Sequence, residues 1–247
     1  MPNPSHLEEI RERYAIERDR RIRAEGNAQY QEIDPSLDPS AEPIQRSPLR
    51  DQVEVAVIGA GLSGLVVAVE LRRVGVESIR LIDRAGDVGG TWYWNRYPAA
   101  QCDVESYIYM PLLEEMGYLP TMKYAYQPEI FAHCQAIARK FDLYRDACFQ
   151  TGVESLNWDD AEGLWTISTD RGDVMKAQFV VLAGGILQQP KFPEIPGLSA
   201  FSGNVFHSSR WDYSYTGGGP GPDGGGLPNL RDKRVGVIGT EPRVCKS

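Results

Sequence analysis

Apolar residues recur along this chain in rhythms that change, and the changes mark its elements. From Val53 to Ile58 the run VEVAVI places apolar, β-branched residues at Val53, Val55, Val57 and Ile58, as a strand favours. The turn Gly59-Ala60-Gly61-Leu62-Ser63-Gly64 follows. The spacing then lengthens to a helical one, with Leu65, Val66, Val69, Leu71 and Val74 on the apolar side and Gly75 at the end. Ile79, Leu81 and Ile82 form a second short strand that delivers Asp83. Residues 128–145 predict an amphipathic helix that buries Ile130, Phe131, Cys134, Ile137, Ala138 and Phe141. His133, beside that stripe, is read as structural. Phe149–Trp158 and Leu164–Thr169 alternate as a hairpin turning at 159–163. Val174–Leu182 predicts another strand, which leaves through Ala183-Gly184-Gly185, and Arg234–Thr240 predicts a last one.

Less regular stretches separate these elements. Residues 6–33 are dense in Glu and Arg, with Leu7, Ile10, Tyr14 and Ile22 on a loose helical stripe; they predict an exposed helical extension over 1–33. Asp34–Gln52 holds four prolines, Pro35, Pro39, Pro43 and Pro48, and predicts an extended linker. The run from Arg84 to Pro98 interleaves glycines and aromatics with Asn95 and Arg96. It is a poor strand and a poor helix, and reads as a loop lying against a flat aromatic ligand, or else as an aromatic core loop. Pro190–Pro196 is a turn-rich crossing, and Gly217–Gly226 a flexible low-complexity loop.

The first of these units carries chemistry. Strand, Gly-x-Gly-x-x-Gly turn, helix, strand and terminal acid follow one another within about 30 residues, the order of a dinucleotide site. Gly59 permits the sharp turn, Gly61 lets a pyrophosphate approach the backbone, and Gly64 lets the helix pack closely. The helix start offers free N–H groups to phosphate, and Asp83 is placed to accept from a ribose diol. The bland alternative is a packing turn. Farther on, Asp103 and Glu105 set two carboxylates close together, either as a functional pair or as the acidic first turn of a helix.

Composition narrows the choice. A net charge of −8 over 247 residues argues against a nucleic-acid or anionic-membrane surface. No apolar run approaches the roughly 20 residues of a membrane span, and the N-terminus has no signal-peptide core. Cys102, Cys134, Cys148 and Cys245 are scattered without a Cys-x-x-Cys pair. They read as free thiols of a cytoplasmic protein, with neither a metal site nor a disulfide framework.

Taken together, these motifs resemble the Baeyer–Villiger monooxygenases, flavin enzymes that insert oxygen beside a ketone. The resemblance rests on Gly59-x-Gly61-x-x-Gly64, on GGTWYWNRYP (89–98) with Asp103-x-Glu105-Ser106, on Ala183-Gly184-Gly185, and on the fingerprint Phe201, Gly203, His207 and Trp211. It covers about Val53 to Thr240. It implies an α/β, Rossmann-like FAD-binding domain of a two-dinucleotide-domain flavoprotein, over 53–200. It implies FAD lined by Gly59, Gly61, Ser63, Gly64, Asp83, Thr91, Trp92, Tyr93, Trp94, Gln101, Cys102, Asp103, Tyr109 and Val153. Asp103 would orient an arginine of the NADPH domain. Residues 201–230 would connect the domains, with His207 supporting their motion. NADPH would reduce the flavin, and one oxygen of O2 would enter beside a ketone to give an ester or lactone. The N-terminal extension resembles that of members acting on bulky terpenoid, steroid, polyketide or macrocyclic ketones.

Two departures stand out. Ala99 replaces the usual glycine of the YPG turn, and Gln101 a frequent arginine; an alanine there is strained if the position has positive φ. After Gly239 the expected second glycine loop is replaced by Glu241, Pro242 and Val244. Residues 231–247 therefore read as an aborted NADPH-binding start, and the chain as truncated and inactive alone. The alternatives are a non-catalytic FAD-binding fragment and an N- or S-oxygenating flavin monooxygenase.

Overall fold

The computed structural model describes residues 4–22, 24, 26, 38, 41–187, 190, 192 and 195–239. The chain divides into two compact units, one of residues 1–33 with 189–201, the other of residues 34–188 with 202–247.

In the smaller unit, α1 spans Pro4–Arg21, short of the expected end at 33; most of residues 23–33 lie outside the described residues. Its stripe is not buried: Leu7, Ile10 and Tyr14 are all exposed, as is Ile22 just beyond its end. A single helical turn at Leu198–Ala200 precedes Phe201.

The larger unit is a six-stranded sheet in the order β3-β2-β1-β6-β5-β4. Its strands are β1 (Gln52–Ile58), β2 (Ile79–Ile82), β3 (Ala147–Cys148), β4 (Val153–Asp159), β5 (Leu164–Thr169) and β6 (Val174–Leu182). β1 lies between β2 and β6 and is parallel to both, with Val57 opposite Leu81 and Val181. A strand with neighbours on both sides is buried over most of its length, and Val53 and Val55–Val57 are buried while Glu54, near the start, stays exposed. β4 and β5 form the expected antiparallel hairpin. Asp159 closes its turn by accepting from the Ala161 and Glu162 amides at 2.8 and 3.1 Å.

Two helices cover one face, α2 (Leu62–Arg73) and α6 (Gln127–Lys140). Leu65, Ala68 and Val69 of α2 meet Cys134, Ile137 and Ala138 of α6 over Val55, Val57, Ile79 and Leu81. The predicted helix ran to 145. It stops because Asp142 takes a left-handed conformation, φ 51°, and the chain tightens into a single turn at Tyr144–Asp146. The opposite face packs Ala56, Ile82 and Cys148 on Ile167, Met175 and Ala177. Three short helices, α3 (Thr91–Trp94), α4 (Ser106–Tyr109) and α5 (Leu113–Met116), fill the connection to α6, and α7 (Tyr213–Thr216) follows the sheet. His133 fills the structural role expected of it, with Nε2 2.7 Å from the Pro111 carbonyl.

Three segments differ from expectation. Residues 41–51 are extended, yet they are fastened along their length. Arg46 forks onto Asp173 at 2.6 and 2.7 Å, and Gln150 bridges the Ile44 amide and the Glu42 carbonyl. Arg234–Ile238 forms no strand; among the described residues nothing pairs with it, and a lone extended segment has no ladder to hold it. Gly217–Gly226 is built rather than loose. A Cβ on Gly218 would fall 2.0 Å from the Gly224 carbonyl oxygen, so the loop packs closely on itself and glycine is obligatory there. No helix among the described residues is long and apolar enough to cross a membrane.

Candidate functional site

The site is built at the C-terminal ends of β1 and β2. Gly59 leaves β1 at φ +110°, and a Cβ there would meet the Ala183 carbonyl oxygen at 2.5 Å. The exit of β6 through Ala183 is therefore packed directly on the turn. Gly64 is tighter still: its Cβ would lie 1.8 Å from the Gly59 carbonyl oxygen, so α2 can begin here only with glycine at that position. Gly61 is different. Around its missing Cβ the nearest atom is Gly90 Cα at 3.5 Å, so no protein group demands a glycine there. No side chain caps α2, whose Ncap is Gly61, and Ser63 is exposed in its first turn. First-turn N–H groups without a cap, beside a glycine with room for a Cβ, suit a phosphate held by backbone.

Asp83 does more for the protein than a ribose acceptor need do. Its Oδ2 accepts the Ala60 amide at 2.6 Å and its Oδ1 the Ala85 amide at 2.8 Å. Burial raises its pKa, and these backbone donors work the other way. The carboxylate thus ties the glycine turn to the end of β2 while keeping lone pairs for a further donor.

The aromatic loop corrects the sequence reading. Trp92, Tyr93 and Trp94 do not present flat faces to a ligand, because all three are buried in the protein. Trp92 packs with Cys102, Met110, Ala125 and Ile130 and donates to the Tyr109 hydroxyl at 2.9 Å. Tyr93 packs on Trp94 and Phe131 and donates to Asp38. Rings this large lose more by exposure than any single ligand contact returns, so the core takes them. Thr91 stays partly exposed at the start of α3.

The acidic pair is also dissolved. Glu105 forms a surface ion pair with Lys123 at 2.8 Å, whereas Asp103 is simply exposed. Between these elements, Gln101 is held by its side-chain amide on the Tyr124 carbonyl at 2.7 Å. Cys102 is buried, and its amide donates to the Ala125 carbonyl. Val153 opens β4 opposite Thr169.

The fingerprint residues fall in both units. Phe201 ends the smaller unit and is exposed. In the larger unit Gly203 is exposed, while His207 Nδ1 accepts the Ser209 amide at 3.1 Å and caps the turn Ser208–Arg210. Burial and the nearby Arg210 charge lower the His207 pKa. Trp211 packs on Phe206 and donates to the Thr216 hydroxyl at 3.0 Å.

Sequence reasoning missed three participants. Asp38 sits in the stretch read as a linker. Gly90 touches Gly61, with a would-be Cβ 2.8 Å from Gly61 Cα. Arg210 lies over the Trp94 ring at 3.7 Å from its centroid. Only Gly90, beside Gly89 in an otherwise aromatic run, carried a local signal.

Comparison with known proteins agrees with this geometry. Residues 56–216 match the pyridine nucleotide-disulphide oxidoreductase family. The chain is 52% identical to neopentalenolactone D synthase of Streptomyces avermitilis over 95% of its length and 40% of that protein's. It is 50% identical to a Baeyer–Villiger monooxygenase of Streptomyces coelicolor, over 96% of the chain and 40% of the relative. The solved polycyclic ketone monooxygenase of Thermothelomyces thermophila superposes with a TM-score of 0.76 at 38% identity, over 95% of this chain and 41% of that one. The chain thus spans about 40% of the length of the curated relatives it matches. The chain belongs to the pyridine nucleotide-disulphide oxidoreductase family, and over its length it is similar to the N-terminal part of Baeyer–Villiger monooxygenases.

Proposed function

We propose that this chain holds FAD for a Baeyer–Villiger oxidation, in which NADPH and O2 convert a bulky ketone to an ester or lactone. The observation that carries the reading is the Gly61 turn: an uncapped helix start next to a glycine that the protein's own packing does not require. Gly59, Gly61 and Gly64 would shape the turn, and the first N–H groups of α2, including that of Ser63, would bind the pyrophosphate. Asp83 would accept from a ribose hydroxyl with the capacity its two backbone donors leave. Thr91, Gln101, Cys102, Asp103, Tyr109 and Val153 would frame the remaining cofactor, Trp92, Tyr93 and Trp94 serving as the core beneath it. Asp103, the exposed member, would orient an arginine of the NADPH domain. FAD, when bound, supplies hydride acceptance and oxygen activation.

The names of the relatives support a bulky substrate: pentalenolactone D synthases, a polycyclic ketone monooxygenase and a steroid monooxygenase bound to NADP. The buried thiols of Cys134 and Cys148 are in keeping with a cytoplasmic location.

A second reading is a chain that holds FAD without turnover, since the features described above belong to a flavin cradle. One experiment separates the two. Purified protein is assayed for bound flavin and for NADPH oxidation dependent on a polycyclic ketone. Flavin with turnover supports the first reading, flavin without turnover the second, and absence of flavin affinity overturns both.

A further inference from the structure

The segment from Ser208 to Gly226 touches the aromatic loop at four places in succession. Arg210 covers the Trp94 ring at 3.7 Å. The Tyr213 hydroxyl donates to the Arg96 carbonyl at 2.6 Å. Gly224 packs on Pro98 so closely that a Cβ would fall 2.7 Å from Pro98 Cβ. The Gly221 carbonyl accepts the Ala99 amide at 2.8 Å. At its other end the same loop leans on the dinucleotide turn, through the backbone approach of Gly90 to Gly61.

Arg210 is aimed by its own surroundings. His207 closes the turn that carries it, and Arg210 Nη1 donates to the Ser209 carbonyl at 3.0 Å. The guanidinium is half-buried, and a desolvated cation over an indole face makes a strong contact of this kind.

We propose that Arg210 is a positioning residue for the dinucleotide turn. Stacked on Trp94, it fastens the 208–226 segment as a clasp over residues 94–99, and through the Gly90–Gly61 contact it sets the shape of the phosphate cradle. The proposal rests on the reading of that cradle as the FAD site.

The test uses the FAD-loaded chain as wild type, Arg210→Ala and Arg210→Lys. Amide hydrogen exchange is followed at Ala99, whose N–H the clasp holds, at Tyr93, whose N–H bonds the Gly90 carbonyl, and at Val57 and Leu81 in the sheet. FAD affinity is measured by fluorescence titration. For Arg210→Ala we expect exchange at Ala99 and Tyr93 to speed up by about tenfold, and FAD to bind several-fold more weakly, with Val57 and Leu81 unchanged. Arg210→Lys keeps the charge but lacks the planar face, so it gives a smaller change in the same direction; it decides the matter alone if Arg210→Ala does not fold. Unchanged exchange at Ala99 overturns the clasp. Loosening at Val57 and Leu81 to the same degree reduces Arg210 to a general structural role and overturns the proposal, as does faster Ala99 exchange with unaltered FAD affinity. A wild-type chain without FAD affinity refutes the FAD reading instead, and exchange at Ala99 and Tyr93 then decides the clasp by itself.

Discussion

Ala99 adopts φ +58°, and in that left-handed conformation its amide donates to the Gly221 carbonyl oxygen at 2.8 Å. The hydrogen bond therefore fastens the residue that carries the strained backbone angle. An alanine held there costs about 1–2 kcal/mol. Replacing it by glycine removes that strain but adds freedom to the unfolded chain, so the net gain is smaller. Ala99→Gly should stabilise the protein by about 0.5–1 kcal/mol, read as a higher urea midpoint at unchanged m. A lower midpoint would show that the Cβ contributes packing that outweighs the strain.

The three glycines of the dinucleotide turn should respond differently to one added methyl. At Gly64 a Cβ would overlap the Gly59 carbonyl at 1.8 Å, so Gly64→Ala should fail to fold or unfold at markedly lower temperature. At Gly61 the same methyl meets only Gly90 Cα at 3.5 Å, so Gly61→Ala should keep the wild-type melting temperature of the flavin-free protein to within a few degrees. Its FAD affinity should nevertheless fall by tenfold or more, on the order of 1.4 kcal/mol, because the methyl occupies the approach to the backbone. Full FAD binding by Gly61→Ala would remove the pyrophosphate from this turn.

What the sequence disclosed and what it hid follow from the range of the interactions. The unit from Val53 to Asp83 was legible because its turn, helix start and strands are each set by neighbours in sequence, and β1, α2 and β2 lie where the pattern places them. The destination of Trp92, Tyr93 and Trp94 was not legible. It depends on Cys102, Ala125, Ile130 and Phe131, which only the folded chain brings near. For the same reason GGGPGPDGGG reads as loose by composition, although its shape is imposed by contacts with Pro98 and Ala99. Arg234–Ile238 shows the converse error: a strand-like pattern makes no strand without a partner.

Arg46 should be the main fastening of the 41–51 strap. It forks onto Asp173, whose side chain is fully buried and also takes the Thr169 hydroxyl and, at 2.7 Å, the Leu49 amide. Arg46 is the first cause holding the Asp173 pKa well below its ordinary 3.8, with Thr169 and Leu49 adding to it. Arg46→Met leaves that carboxylate buried without its cation and should cost about 3 kcal/mol. The pH dependence has a definite sign. A depressed carboxylate contributes stability that is complete above the unfolded value near 3.8 and is lost as pH falls through the folded value. Wild type should therefore lose stability steeply in acid below that pH, and Arg46→Met less steeply. Parallel acid-unfolding curves for the two proteins would deny Arg46 its part in holding Asp173 ionised.

His207 should make the 208–210 turn sensitive to mild acid. Its Nδ1 must be unprotonated to accept the Ser209 amide, and both burial and the Arg210 charge oppose protonation. A histidine whose folded pKa lies below its unfolded value of 6.5 binds fewer protons in the folded state. Its contribution is therefore complete above 6.5 and declines as pH drops from there toward the folded pKa. His207→Asn can place Oδ1 where Nδ1 stood, which keeps the acceptor and abolishes the titration. Urea midpoints of wild type should fall as pH is lowered below 6.5, while those of His207→Asn should fall less over the same interval. The wild-type amide of Ser209 should exchange faster at the acid end after correction for intrinsic rates, and that of the variant should not. Equal slopes in both proteins would mean that the turn is held by other contacts, with the Trp211 indole on Thr216 the first to test.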